Sequence, residues 1–388
     1  MDRITFRASI SIAVAALIGF LLAYATEIGL AFSVAMPTLC FLQKRRIHAL
    51  LVAFAYYGAA SSILIPGAKS FFGPGTTLLV PVALWGTASL LLALPFAMLW
   101  INNPRTARWR APLAVLASVP PPLGIIGWAN PLTAAGLLFP GTGWFGLFAV
   151  LTFAAFSPLY HRSSGAALIT SAILANAVFP GVPAAPPDWE AVSTTFRDLG
   201  PESSSMLSQF EVAQYIQQRA LQSHARVILF PEAVVARWSE ATDLFWAPTL
   251  SRLASSGKIL LVGAGVDIAA TTKYENIVII RGAETGSYVQ RIPVPIGMWQ
   301  PFGDDGVPLS PFGATAISVT GRRISFLICY EQFLTWPVLG SVASQSNLLV
   351  GIANHHWLSG TYILNVQAKL LPVWARLFQI PWISAVNT

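Results

Sequence analysis

Two apolar runs in this chain end on residues able to do covalent chemistry. Residues 324–329, ISFLIC, deliver a cysteine, and residues 227–232, VILFPE, deliver a glutamate just after a proline. Each run has the length of a buried strand. In layered α/β domains the ends of strands are where reactive groups collect. A thiol needs a base to become a nucleophile. A carboxylate on a neighbouring strand tip would take the thiol proton, the thiolate would attack an acyl carbon, and a cationic or amide donor would hold the oxyanion. Taken singly, each residue has a plainer reading: Cys329 as a core residue and Glu232 as an exposed carboxylate in a turn. The joint reading requires the two tips to meet. It also predicts a cysteine of lowered pKa whose reactivity is lost in Glu232→Gln.

The elements that must carry these tips follow from the periodicity of the C-terminal half. Residues 206–225 read as an amphipathic helix with Leu207, Phe210, Ala213, Ile216, Ala220 and Leu221 on one side. A short strand over 227–230 leads to Glu232. A helix over 241–255 and a strand over 258–262 follow. Residues 276–281 and 287–291 flank the turn-rich GAETG and predict a hairpin. Residues 314–319 and 324–330 flank TGRR and predict a second. Strands over 348–352 and 382–386 enclose a helix over 362–378, with a break expected near Pro372. Strands alternating with helices and hairpins indicate a layered α/β domain.

The N-terminal half differs in kind. Of 388 residues, 55% are hydrophobic and 10% charged, where a soluble domain carries about 25%. Seven candidate membrane spans cover residues 9–25, 29–42, 48–66, 77–101, 111–128, 143–160 and 166–183. The second is short and the fifth holds Pro120, Pro121 and Pro122, so either is a candidate for a broken or re-entrant segment. The basic clusters (Arg3 and Arg7; Lys44, Arg45 and Arg46; Arg105, Arg108 and Arg110; Arg162) all fall on one side of seven spans. The positive-inside rule makes that side the cytoplasm. The N-terminus is then cytoplasmic, and residues 193–388 form a domain outside the membrane, periplasmic in a Gram-negative cell. A Pro-rich linker over 184–192 joins it to the transmembrane domain, residues 1–183. The net charge of +7 is thereby assigned to topology, and no nucleic-acid partner is expected. A transporter is disfavoured because the spans hold almost no ionisable residues. Cys40 and Cys329 are not expected to pair, and no metal-ligand spacing is present. Adjacent His355 and His356 face opposite ways on a strand end and do not suit shared ligation.

Five motifs together carry a family resemblance: FPEAVV at 230–235, YENIVII at 274–280, YVQRIPVPIG at 288–297, LICYE at 327–331 and ANHHW at 353–357. With them the chain resembles the nitrilase (carbon–nitrogen hydrolase) superfamily and, within it, the apolipoprotein N-acyltransferases. GWANPL at 127–132, FPGTGW at 139–144 and RIPVP at 291–295 extend the resemblance to conjugal-transfer proteins of rhizobial and agrobacterial plasmids. The resemblance implies a multi-span α-helical membrane domain followed by a nitrilase-type αββα sandwich. It implies acyl transfer or amide hydrolysis through a thioester on Cys329, without metal or dissociable cofactor. A membrane lipid is the implied acyl donor, an amine on an exported protein or peptide the acceptor, and conjugation machinery the setting. Glu232 matches the general base, Cys329 the nucleophile and Glu331 a supporting glutamate. The family lysine has no clean match: Gln290 falls at its position, with Arg291 beside it as the implied oxyanion partner. Gln290, Tyr330, Trp299, Asn354, His355 and Trp357 are implied around the substrate. Met298 stands where the acyltransferases carry a glutamate, and the sequence stops at Thr388 where the family continues. Trp299, Phe302 and Trp357 read as core packing, with a lipid-contacting lid over residues 298–299 as the alternative. A catalytically inactive scaffold is the competing implication of the missing lysine.

Overall fold

The computed structural model describes residues 3–24, 26–73, 75–196, 206–355 and 362–388. By internal contacts the chain divides into two compact units. The first holds the residues up to Val182, the segment Phe333–Trp336 and helix Ile363–Phe378. The second begins at Pro183 and holds the rest. Helix Ile363–Phe378 passes through Pro372 without the expected break. Val366, Leu370, Val373, Trp374 and Leu377 are buried on both sides of the proline and hold the two halves in line.

In the first unit, four described helices are long and apolar enough to cross a membrane: Thr5–Ala23, Arg46–Phe72, Leu79–Leu99 and Trp144–Val178. The sequence pattern predicts seven spans, and the differences have local causes. The fourth helix is a hairpin. Its backbone leaves helical geometry at Tyr160, and Asn176 near its end donates to the carbonyls of Leu137 and Leu138 at 3.0 and 3.2 Å. A straight helix from Trp144 to Asn176 would separate these groups by about 48 Å, far beyond the reach of the few residues between Leu138 and Trp144. The two arms therefore run antiparallel and cover the expected sixth and seventh spans.

The expected second span is two short helices, Glu27–Phe32 and Ala35–Phe41. The fifth is helix Pro104–Ala117 followed by irregular backbone. Neighbouring side chains satisfy that backbone, as an apolar medium demands. Tyr56 Oη donates to the Ala129 carbonyl at 2.8 Å, and Asn130 Nδ2 to the Val115 carbonyl at 3.2 Å and Ser118 Oγ at 2.9 Å. Small residues let the helices approach closely. Ala15, Ala49, Ala53 and Ala60 are fully buried, and a Cβ at Gly19 would lie 3.0 Å from the Ala60 nitrogen. Large apolar side chains such as Leu17, Phe20, Phe145 and Phe148 face outward.

The second unit is an α/β sandwich. One sheet has the order β1 (Trp189–Ala191), β2 (Val227–Leu229), β3 (Ile259–Asp267), β4 (Tyr274–Gly282) and β5 (Gly286–Val289). Its first three strands are parallel and the rest antiparallel. The other sheet has β6 (Ile317–Val319) antiparallel to β7 (Arg322–Ile328). Strands β8 (Leu348–Asn354) and β9 (Trp382–Asn387) then run parallel to β7. Both expected hairpins are present. Strand β1 lies inside the stretch read as linker; three residues are too few to show an alternation.

One core fills the space between the sheets, with Leu229, Leu261 and Val278 facing Phe326, Ile328, Val350 and Ile352. A second core, with Ile228, Phe230, Leu260 and Val262 against Ile216, Ala220, Trp246 and Leu253, binds helices Met206–Gln222 and Glu240–Ser255 to the outer face of the first sheet. Phe210, expected on the buried side, is exposed.

Candidate active site

Strand β2 ends at Leu229, and Phe230-Pro231 carry the chain to Glu232. The next residue, Ala233, has φ +50°, which turns the chain sharply away. The turn lies hard against β3: a Cβ on Gly263 would fall 2.5 Å from the Glu232 Cα and the Pro231 oxygen. Across the sandwich, β7 ends at Ile328, and Cys329 has φ +50° at the start of a 3₁₀ turn. A left-handed conformation at a side-chain-bearing residue is strained and collects at functional positions. Both side chains are withdrawn from solvent, at 4% and 7% exposure.

The two tips meet. The Cys329 thiol and the Glu232 carboxylate share a hydrogen bond. Glu232 Oε1 also accepts from Asn276 Nδ2 at 2.7 Å, and Oε2 from the Asn354 backbone N–H at 2.9 Å. Burial pushes Glu232 up to about 7 in spite of these donors, with the nearby Glu331 carboxylate adding to the rise. Burial, and then the Glu232 charge, push the Cys329 thiol well above its usual range; the N–H groups of Asn354 and Tyr330 pull it part of the way back. The expected low-pKa cysteine is therefore absent. The resting thiol is protonated, and near neutral pH the carboxylate beside it is about half ionised. That is the arrangement of a general base, not of a preformed thiolate.

Gln290 is fully buried behind this pair. Its Oε1 accepts from Asn276 Nδ2 at 3.0 Å and its Nε2 donates to the Ile328 carbonyl at 3.1 Å. A neutral amide thus links Asn276, itself a donor to Glu232, to the backbone that precedes Cys329.

A probable conjugal transfer protein TraB of Sinorhizobium fredii is 32% identical over 369 residues, which span 92% of this chain and 92% of that protein. The chain belongs to the TraB family of conjugal transfer proteins. TraB of Agrobacterium fabrum is 30% identical over 371 residues, 91% of this chain and 86% of its own. An apolipoprotein N-acyltransferase of Methylococcus capsulatus matches over 165 residues at 27% identity, 39% of this chain and 32% of its own. Among solved structures, an amidase of the nitrilase superfamily from Nesterenkonia is similar over 51% of this chain and 75% of its own. The identity there is 17% and the TM-score 0.38. No family model matches the chain.

Other expected site residues of this TraB-family chain are placed differently. Arg291 is 2% exposed, and none of the partners described for its guanidinium is Glu232 or Cys329. Its Nη1 donates to the Pro337 carbonyl at 3.2 Å. Its Nη2 lies 3.4 Å from the Phe326 carbonyl and from Ser341 Oγ, and its Nε 3.4 Å from Glu331. The chain bends at Arg291, just past the end of β5, and the two side chains take different partners: Gln290 reaches Asn276 and the Ile328 carbonyl, Arg291 the Pro337 and Phe326 carbonyls. Glu331 is fully buried and accepts from the backbone N–H groups of Arg291, Ile292 and Ile328 at 2.8, 3.1 and 2.9 Å. It fastens the Gln290 segment to the strand that ends at Cys329. Asn354 is buried, its Oδ1 accepting from Asn387 at 2.9 Å. His355, expected on a strand end beside the substrate, is buried just past the end of β8 with its backbone N–H on the Asn387 carbonyl at 2.7 Å. Tyr330 is half-buried. Trp299 is half-buried in a loop closed by its own backbone, at 3.0 Å to Val294 and 2.8 Å from Ile296. Phe302 on the same loop is fully exposed, which excludes core packing for it. His356 and Trp357 lie outside the described residues.

Asn276, Gln332 and Asn387 were not singled out in advance. Gln332 Nε2 ties the Leu327 and Ile352 carbonyls together, each at 3.1 Å. The available signal was a polar residue in an apolar strand. Asn276 opens the run NIVII, where a buried amide needs partners.

Proposed function

We propose that this protein is a membrane-embedded, cysteine-dependent acyltransferase or amidase working in plasmid conjugal transfer. The hydrogen bond between the Glu232 carboxylate and the Cys329 thiol carries this reading. Ionised Glu232 takes the thiol proton as sulfur attacks the carbonyl carbon of the acyl donor. The N–H of Tyr330, already directed at the sulfur, becomes a donor to the tetrahedral oxyanion. Collapse expels the alcohol or amine leaving group, which takes the proton from Glu232, and leaves a thioester on Cys329. Glu232 then deprotonates the acceptor, an amine for transfer or water for hydrolysis. Its attack restores the thiol.

The donor in this proposal is a membrane lipid and the acceptor an amine of an exported protein or peptide, with Tyr330 and Asn354 bordering the acyl group. The chain sits in the bacterial inner membrane with its N-terminus cytoplasmic and its α/β domain periplasmic. Alkaline phosphatase fused after Thr388 is then active, and fused after Arg110 inactive; the reverse pattern rejects this topology. The chemical test is a trapped thioester. Intact full-length protein incubated with phospholipid vesicles and quenched in acid should gain an acyl mass that maps to Cys329. No adduct in the wild type, under conditions where iodoacetamide reaches Cys329, rejects the enzyme reading.

One observation favours a second reading, an inactive scaffold of the conjugation apparatus. Gln290 fills with a neutral amide the position that the family resemblance assigns to a lysine.

A further inference from the structure

The first unit holds a cavity of about 230 Å³, apart from the Cys329 site. It opens where the first apolar helix ends and helix Glu27–Phe32 begins, facing helix Ile363–Phe378. The Tyr24 and Tyr362 rings pack with centroids 4.6 Å apart and planes tilted by 56°, which brings these elements together. Most of the wall is apolar, with Leu22 and Leu30 on one side and Val366, Leu370 and Val373 on the other.

Three charges break this pattern. Lys369 and Arg376 line the cavity from one helix and, seven residues apart, share a face of it. Arg376 is fixed by its Nη2 bond to Asn176 Oδ1 at 2.9 Å, and Asn176 is itself held by the Leu137 and Leu138 carbonyls. Lys369 is exposed and free to swing. Glu27 lines the same cavity. Pro372 adds an acceptor there, because it has no N–H to give the Ala368 carbonyl, and Ala368 also lines the cavity.

Two cations, one carboxylate and a bare carbonyl at the mouth of an apolar cleft, at the end of a membrane-spanning helix, match one kind of molecule. We infer that this cavity binds the head of a zwitterionic glycerophospholipid. Its phosphate lies between Lys369 and Arg376, and its ammonium lies on Glu27 and the Ala368 carbonyl. The cavity is too small for the tails, which run out over the exposed Ile28 and Phe32 of the neighbouring helix. An anionic lipid would leave Glu27 unmatched, and a free phosphate would leave the apolar wall uncovered.

The test uses full-length protein in phosphatidylglycerol vesicles doped with phosphatidylethanolamine bearing a photoactivatable diazirine near the head of one chain. After illumination, adducts are mapped by peptide mass spectrometry. Adducts should concentrate in peptides covering Glu27–Phe32 and Ile363–Phe378. They should fall about tenfold in Lys369→Glu, the effect of one lost charge-assisted hydrogen bond, and recover in Lys369→Arg. Glu27→Gln should weaken labelling by this probe and leave labelling by a phosphatidylglycerol diazirine unchanged. Because Lys369 is exposed, both Lys369 variants should unfold at the wild-type temperature. Labelling spread evenly along Thr5–Ala23 and Trp144–Val178, or unaltered in a folded Lys369→Glu protein, overturns the inference. Equal response of the two lipid probes to Glu27→Gln overturns its zwitterionic part. The readout does not involve Cys329, so it stands or falls apart from the acyl chemistry.

Discussion

Gln290→Lys asks whether the reacting pair is inert or merely short of a cation. The perturbation is local, since Gln290 is fully buried and points at the site. Asn276 Nδ2 lies 3.0 Å from Gln290 Oε1 and 2.7 Å from Glu232 Oε1, so the two side-chain ends are less than about 6 Å apart. An ammonium ~5 Å from a carboxylate, at an effective dielectric of ~20, attracts it by about 3 kcal/mol, or about two pKa units. Glu232, now pushed up to about 7 by burial, should ionise near pH ~5 in the variant. The same ammonium favours the thiolate, so the weaker base loses little driving force. The assay is the pH dependence of Cys329 alkylation by iodoacetamide in full-length protein carrying Cys40→Ser, which removes the other thiol. The wild-type rate should rise through pH 7 as Glu232 ionises, and the variant's about two units lower. At pH ~6 that makes the variant about tenfold faster. An unchanged midpoint in a variant that unfolds at the wild-type temperature would refute the coupling between carboxylate and thiol.

Three further outcomes follow from the same contacts. Glu232 has its pKa raised from 4.5 to about 7. Its contribution to stability is therefore complete below pH 4.5 and falls by about 3 kcal/mol as pH rises through 7. Glu232→Gln should melt with the wild type at low pH and above it at pH 8, while alkylation of Cys329 collapses; melting curves that stay parallel across pH count against the raised pKa. Asn276→Ala removes a donor that lowers the Glu232 pKa, so the alkylation midpoint should move above 7, and a shift downward would contradict the assignment. Glu331→Gln leaves the buried Arg291 charge without its partner and should cost about 3–5 kcal/mol, read as a fall in melting temperature. Adding Arg291→Met should recover part of the loss, and no recovery would argue against the pairing.

Much of the α/β unit was legible because buried strands write themselves as short apolar runs. VILF, ILLV and SFLI all became strands, and the turn-rich GAETG and TGRR became hairpin turns. The meeting of Glu232 with Cys329 was legible for the same reason, each being the first polar or reactive residue past a strand end. The turn at Tyr160 was legible too, because His161-Arg162-Ser163-Ser164-Gly165 interrupts the two apolar arms. Two things were not. Strand β1 is three residues long and takes its register from β2. The raised thiol pKa comes from burial and from the Glu232 charge, which no local motif encodes. Arg291 was misplaced because charge was weighed without direction: Gln290 and Arg291 are neighbours in sequence and take different partners in space.

That difference decides what arginine can do here. Swinging Arg291 toward the sulfur would break its contacts with the Pro337 and Phe326 carbonyls and strip Glu331 of its counter-charge in a fully buried position. Glu331 would then hold an uncompensated charge while still receiving three backbone N–H groups. Leaving a buried charge unpaired costs about 3–5 kcal/mol, which offsets the roughly 3–4 kcal/mol that one added donor at an oxyanion returns. Arg291 and Glu331 therefore neutralise each other and fix the backbone on which Gln290 and Cys329 stand. Among the described residues, Glu232 is the carboxylate that shares a hydrogen bond with Cys329, and the proposed chemistry runs on the proton of that bond.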